Sequence, residues 1–435
     1  MELHKSHISI FKFVFVMVGM VISGQYFGWN SGLEQSTPSS YFIAVIILVI
    51  FFSFFMFSCG YLVNHYMDKD KSLPDLVSVV LGKKLGYLCG WACVFEYWLG
   101  TPAIAISFAI YLNELVPFVN YPVAVLIGFL IVLFANIGSL NHIAKYETIA
   151  TVLAILGVFV FYVVIASVYF NSEVEQVAPF SQPIEFNGIA YAIPFAIWLF
   201  LGIEGGITLI HAMKKPKKEG FIGIAIGLVI LAVLALITVF FFICYASTSG
   251  ELLSTDPLPN LIKNLNFPFV SNVILLLGLF GLLASFNGLT IGYSQQLYLL
   301  GNSYKIKMFK NNSRLLSKAS CLFVPLLIAF ICCLSNDLSQ NFVIMAVLSA
   351  LVVYLFVTVS IVLLFMKLGK YILAAVYAAI LLLLILIIIF TFIYAIMPAK
   401  ISFIGLDVNV AWILSAAFII VILTSFKVKG ASNNS

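Results

Sequence analysis

Two acidic side chains fall deep inside long apolar stretches: Glu96, in Phe95-Glu96-Tyr97-Trp98, and Glu204, in Gly202-Ile203-Glu204-Gly205-Gly206. A charge at bilayer depth costs about 2.5–3.5 kcal/mol on insertion scales, so such a residue is a functional candidate by default. No Lys or Arg within the apolar stretches is placed to neutralise Glu96. It is therefore either protonated or the counter-ion of a bound cation, which suits a proton carrier or an ammonium site. Glu204 stands where glycines free backbone amides and carbonyls, and reads as a gating group or as the brace of an unwound turn. A matching interruption, Ile22-Ser23-Gly24-Gln25 followed by Tyr26-Phe27-Gly28-Trp29-Asn30, divides the apolar stretch Phe11–Leu33.

Non-helical chain at membrane depth survives only against protein or a watery cavity, and paired interruptions in two halves of a chain point to a transporter's binding site. Amides at a half-helix N-terminus suit a carboxylate or hydroxyl, and carbonyls at a C-terminus suit an ammonium or a metal cation. Ser23 adds a hydroxyl, and Gly24 permits close backbone approach. Trp198, one turn before the second interruption, is placed to cover a cation with its π face. In Gly281–Gln296 the glycines suit close helix packing, whereas Asn287, with four hydrogen-bonding positions to satisfy, suits the wall of a polar cavity.

The elements that must hold these residues are membrane helices. Hydrophobic residues are 63% of the 435, charged residues 9%, and mean hydropathy is +1.15, whereas a soluble domain carries about 25% charge. Apolar runs predict an all-α integral membrane protein of 12 transmembrane helices, at about 10–33, 41–65, 85–112, 122–138, 147–170, 187–211, 220–247, 269–301, 319–334, 341–366, 371–396 and 405–426. Of the 22 basic residues, all but Lys263 and Lys400 fall on the face that also holds both termini. Lys5, Lys69, Lys214, Lys307, Lys310, Lys427 and Lys429 are among them, while Glu34, Glu114, Glu173, Glu175, Glu251 and Asp256 gather opposite. That bias puts both termini in the cytoplasm. The interrupted spans are the first and the sixth. An offset of five reverses orientation, as an inverted repeat requires, giving a first repeat over 10–170, a second over 187–366 and a peripheral pair over 371–426.

Other classes find little support. The N-terminal segment is too long and lacks the small-residue cleavage site of a signal peptide. The seven cysteines and five histidines form no metal-ligand spacing. The charge of +5 is an orientation signal with no nucleic-acid patch behind it, and neither a phosphate loop nor a nucleophile elbow appears. No cofactor is expected beyond a coupling ion, H+ or Na+. The partners expected are a small-molecule solute and membrane lipid.

Four stretches occur in order: Ile22 through Asn30; Glu96-Tyr97 with Pro102-Ala103-Ile104-Ala105; Pro194 through Gly205; and Ala284-Ser285-Phe286-Asn287-Gly288 with Gly292-Tyr293-Ser294. Through them the chain resembles the amino acid–polyamine–organocation superfamily, most nearly the ethanolamine permeases. The resemblance implies a LeuT-like 5+5 inverted repeat with broken helices 1 and 6, alternating access, and substrate held between spans 1, 3, 6, 8 and 10. Carried over by position, Ser23, Gly24, Gln25, Tyr26, Glu96, Thr101, Trp198, Gly202, Ile203 and Asn287 would meet the substrate. Glu204, Glu96 and Trp198 would couple gating to protonation. Departures at Gln25, Asn287, Gln295 and His211-Ala212 leave substrate and coupling ion open. The expectation is a secondary permease for ethanolamine or an amino acid in the cytoplasmic membrane. An amino acid exchanger on the same fold is a variant, a channel or sensor is a different class, and an intramembrane enzyme lacks a nucleophile, base or metal set.

Overall fold

The computed structural model describes residues 8–66, 71–137, 140–171, 181–245, 254–306, 313–333, 336–398, 400–403 and 406–425. Lys5, Lys69, Glu173, Glu175, Glu251, Lys307, Lys310, Lys427, Lys429 and both chain ends, on which part of the orientation reading rests, lie outside the described residues.

The helices are α1 (Ile10–Ile22), α2 (Pro38–Tyr66), α3 (Leu73–Leu81), α4 (Lys83–Leu115), α5 (Tyr121–Ala135), α6 (Leu140–Asn171) and α7 (Phe186–Ala196). They continue with α8 (Pro216–Tyr245), α9 (Pro257–Asn264), α10 (Pro268–Ser303), α11 (Ser313–Cys332), α12 (Asn336–Lys367), α13 (Tyr371–Thr391) and α14 (Val410–Ser425). Among the described residues, eight helical segments are long and apolar enough to cross a bilayer, and Ile10–Gln25, Tyr121–Ala135, Ser317–Cys332 and Ser415–Ser425 are shorter apolar helices. Local sequence sets many of the starts. Ser9 caps α1 by accepting from the Lys12 amide, Asn120 caps α5 with Pro122 in its first turn, and Ser72 and Asp75 close a capping box on α3.

Spans 1 and 6 are broken as expected. After α1 the chain tightens to a 3₁₀ turn at Ser23–Gln25, and a second 3₁₀ turn runs Trp29–Leu33. After α7 come 3₁₀ segments at Ile197–Leu199 and Ile203–Ala212, so the second break begins at Ile197 and not at Gly202. Each break pivots on a glycine at positive φ, Gly28 at 89° and Gly202 at 90°, where any side chain would be strained. The broken spans run antiparallel. Contacts run in opposite chain order: Ile8 meets Met213 at one end, through an isolated bridge that is locally parallel, Gly24 meets Trp198 and Leu199 midway, and Gly32 meets Ala192 and Phe195 at the other end.

Around this pair, α10 packs on α1, α4 and α6, α12 on α4, and α8 on α1 and α2. Helix α13 lies outside: only 22% of its most apolar window is buried, against 89% for Phe186–Ile210. Several boundaries differ from the sequence reading. The fifth span starts at Leu140 rather than at residue 147. The last starts at Val410, because Lys400–Phe403 and Leu406–Asn409 pair as an antiparallel hairpin, β1 and β2. Helices α3 and α9 lie in stretches that composition alone marks as loops.

Candidate functional site

The two breaks form one wall. A Cβ on Gly24 would stand 2.5 Å from the Trp198 carbonyl oxygen and 3.2 Å from the Leu199 Cα, so only glycine lets the segments touch here. The Ser23 amide donates to Ser285 Oγ (2.9 Å), whose hydroxyl donates to the Gly19 carbonyl (2.7 Å). Helix α10 thereby satisfies backbone groups that the break frees.

Beside this wall, Ser23, Glu96, Tyr97, Trp198, Gly202 and Tyr293 surround a cavity of about 20 Å³. A void needs about 10–15 Å³ to hold one water, so the centre is nearly closed. Glu96 is 3% exposed, and neither of its carboxyl oxygens has a hydrogen-bond partner among the described residues. Tyr97 is fixed beside it by Thr290 (2.7 Å) and the Cys321 carbonyl (2.8 Å), and stacks on Tyr293 at 5.0 Å.

Trp198 closes one side. Its ring meets Phe27 edge-on at 5.3 Å and lies against Gly28. Beyond it opens a vestibule of about 190 Å³ lined by Phe27, Asn30, Ser107, Phe195, Ser254 and Val347 among others. On the other side, Tyr293 and Tyr354 donate to the two oxygens of Glu204, at 3.1 and 3.3 Å. Past Tyr293 a void of about 10 Å³ is bounded by Glu204, Thr208, Gln296 and Leu73 of α3. Glu96 and Glu204 lie close enough to act on each other electrostatically. The order is vestibule, Trp198, Glu96 cavity, Tyr293–Glu204, α3.

The expected site residues separate into two groups. Ser23, Glu96, Trp198 and Gly202 line the central cavity, and Glu204 stands behind Tyr293. The others do not line it. Gly24 packs against the opposite break. The Tyr26 hydroxyl donates to the Ala154 carbonyl, and Tyr26 fills space over Gly157, Gly278 and Gly281. Gln25 is fully buried with neither amide atom partnered among the described residues. Thr101 and Ile203 are fully buried outside the cavity. Asn287 accepts from Asn136 and donates to Glu147, away from the cavity. Sequence reasoning missed three residues. Tyr97 and Tyr293 stand in two of the stretches that carry the resemblance, but as single tyrosines in a chain with 20 of them they carry no signal of their own. Glu147 is a third deeply buried acid, hidden because it stands at the first position of the expected span.

A family model described as amino acid permease matches residues 8–424. The D-serine/D-alanine/glycine transporter of Escherichia coli K12 is 24% identical over 270 residues, covering 59% of this chain and 56% of that protein. The proteins of the same description from E. coli O157:H7 and O6:H1 match to the same extent. The chain thus spans about half the length of the curated relatives it matches. A crystal structure of a mutant manganese transporter from Eremococcus coleocola shares the fold with a TM-score of 0.57 at 14% identity, covering 96% of this chain and 93% of that one. Matched from the first described residue nearly to the last, the chain belongs to the amino acid permease family, a family of multi-pass membrane transporters and not of enzymes.

Proposed function

We propose that the protein is a secondary transporter of a small amine-bearing solute, foremost a small neutral amino acid, working by alternating access across the cytoplasmic membrane. The observation that carries this reading is Glu96. Its unpartnered carboxyl faces a cavity walled by two broken spans and sealed by Trp198 on one side and Tyr293 on the other. An ammonium entering from the vestibule would meet that carboxyl, and its other pole would meet the hydroxyl of Ser23. The relatives' description as transporters of D-serine, D-alanine and glycine supports small, uncharged side chains, as does the tightness of the cavity.

The antiparallel pairing of the broken spans supports a LeuT-like 5+5 repeat, with 10–170 as one half, 187–366 as the other and 371–426 peripheral. On this reading the four short apolar helices cross with the eight long ones, giving twelve spans with both termini cytoplasmic. Ethanolamine is a second reading, and the same carboxyl favours it: an ammonium opposite Glu96 needs no carboxylate on the substrate.

The test is uptake and counterflow in proteoliposomes with glycine, both enantiomers of alanine and serine, ethanolamine, choline and polyamines. It is run with and without Na+ and at two pH values. Saturable counterflow of one class identifies the substrate. Absence of counterflow for every solute would overturn the reading in favour of a channel or sensor.

A further inference from the structure

A second polar void lies beyond the central cavity, toward α3. Tyr293 of α10 borders both. On one side it walls the Glu96 cavity, and on the other Leu73, Cys93, Glu204, Gly205, Thr208 and Gln296 enclose about 10 Å³, the least that holds one water. Gln296 stands three residues after Tyr293, so the two share a face of α10. It is 1% exposed, and neither Oε1 nor Nε2 has a hydrogen-bond partner among the described residues. A primary amide carries two donors and two acceptor positions, and leaving all of them unmet in a buried place is costly. The groups around the void are able to meet them. Each carboxyl oxygen of Glu204 accepts from one tyrosine, Tyr293 at 3.1 Å or Tyr354 of α12 at 3.3 Å, and keeps a lone pair over. Thr208 shares its hydroxyl proton between the carbonyls of Gly205 (2.7 Å) and Gly292 (3.1 Å), so its oxygen is left to accept. Cys93 of α4 adds a thiol and Leu73 of α3 an apolar floor; among the described residues no basic side chain borders the void. The void therefore presents chiefly acceptors.

We propose that Gln296, Glu204 and Thr208 form an inner site for the ammonium pole of the solute, filled by one water in the closed arrangement, and that Gln296 sets its preference for a cation. An ammonium donates three hydrogen bonds and accepts none, which complements an amide, a carboxyl and a hydroxyl oxygen gathered at one void. Gln296 is the member of the three with no other side-chain bond among the described residues, so it gives up nothing by turning Oε1 to the cation. A water in the same place bridges Gln296 to Glu204 or Thr208 when no solute is there. The consequence rests on the transport reading. An ammonium that leaves Glu96 as Tyr293 moves would otherwise cross the space toward α3 with its charge unmet, at large desolvation cost. The inner site meets that charge a second time before release. The cation preference of the void itself does not depend on transport.

Cys93, on the wall of the void, allows a test on the full chain in lipid nanodiscs. Three methanethiosulfonates are compared: the aminoethyl reagent, which carries an ammonium, the neutral methyl reagent and the anionic sulfonatoethyl reagent. Each joins the thiol in a mixed disulfide and releases methanesulfinate. Conversion at Cys93 is read by site-resolved mass spectrometry, and each rate is divided by that of the same reagent with 2-mercaptoethanol. The ammonium reagent is expected to modify Cys93 about tenfold faster than the neutral one, the worth of a hydrogen bond to a charged group, and Gln296→Leu to remove most of that preference. Equal rates for the two reagents, or a preference untouched by Gln296→Leu, would overturn the proposal. So would a Cys93 inert to all three, because the void then never opens. The second measurement is counterflow of glycine and D-alanine in proteoliposomes. Gln296→Leu is expected to slow the maximal rate about tenfold with little change in KM. A merely structural role would leave the rate alone, since leucine removes an unmet amide; a wild-type rate would therefore overturn the part of Gln296 in release. Should Gln296→Leu fail to fold, Gln296→Met serves in both measurements. Absence of any wild-type counterflow would count against the transport reading, while the reagent ratio would still decide the site.

Discussion

Replacing Gly24 by alanine tests whether the two breaks are a single mechanical joint. The added Cβ would stand 2.5 Å from the Trp198 carbonyl oxygen and 3.2 Å from the Leu199 Cα, where non-bonded contacts settle at about 3.5–4.0 Å. Both obstacles are backbone, so no rotamer change relieves the clash and the segments must part by about an ångström. Overpacking of that kind costs about 1–3 kcal/mol. Trp198 then loses its seat on Gly28, and the closed arrangement gives way to an open one by a factor of about 5–150, taking 1.4 kcal/mol per tenfold. Amide hydrogen exchange reads this directly. The Phe200 and Gly205 amides, bonded to the Ile197 and Gly202 carbonyls at 3.0 Å, should exchange faster by that factor, while amides in the middle of α2 should not change. Wild-type exchange at Phe200 and Gly205 in a folded Gly24→Ala protein would refute the joint. The breaks would then be neighbours without mechanical connection.

Three further outcomes follow from the geometry. Glu96→Gln should abolish saturable uptake of the amine substrate while the protein stays folded by size-exclusion profile, since among the described residues the carboxyl has no hydrogen bond to lose; normal uptake would remove Glu96 from the site. Tyr26→Phe should lower thermal stability by the worth of one buried hydrogen bond, about 0.5–1.5 kcal/mol, and leave the transport KM unchanged, because its hydroxyl serves the Ala154 carbonyl; a raised KM would return Tyr26 to the binding site. Asp256, in the connection before α9, has its carboxyl pushed above the ordinary range by burial and by the Glu114 carboxylate, against a lowering hydrogen bond from Ser254. The folded loop therefore holds this proton more tightly than the unfolded loop. Its contribution is full below the ordinary Asp value of about 3.9 and is lost as pH rises through the raised one. Hydrogen exchange of Pro257–Asn264 should accelerate across that window, and Asp256→Asn should flatten the response.

The breaks were legible because glycine and polar residues inside an apolar run have few other uses, and Gly28 and Gly202 do take backbone conformations closed to other residues. What each break faces was not legible. Gly24 reads equally well as a place where substrate nears the backbone or where another segment does, and the sequence does not say which partner arrives. Asn287 shows the same limit: α10 is buried around almost its whole circumference from Gly281 to Ser294, so no periodicity separates a cavity face from a packing face. The capping box at Ser72 and Asp75 was readable as the start of α3, but a nine-residue helix cannot be told from a loop by apolar length. Glu147 failed for a related reason. The sequence Lys145-Tyr146-Glu147-Thr148 looks like the polar edge of a span, and only packing against Gly19 and Gly288 carries the helix back to Leu140 and takes the acid inside.

One rule covers these cases. Local sequence reveals where regular structure must fail, because strain and freed peptide groups are local. Whether a buried polar group meets solute, proton or protein depends on pairs of residues more than a hundred positions apart, Gly24 with Trp198 or Glu147 with Asn287. A second glycine at the contact is the trace such pairs leave. Gly19 and Gly288 both face Glu147, and Gly28 faces the indole of the same tryptophan whose backbone carbonyl meets Gly24. Glycines that lie across from a buried polar or aromatic side chain, rather than beside it in sequence, therefore mark where distant segments of this protein touch.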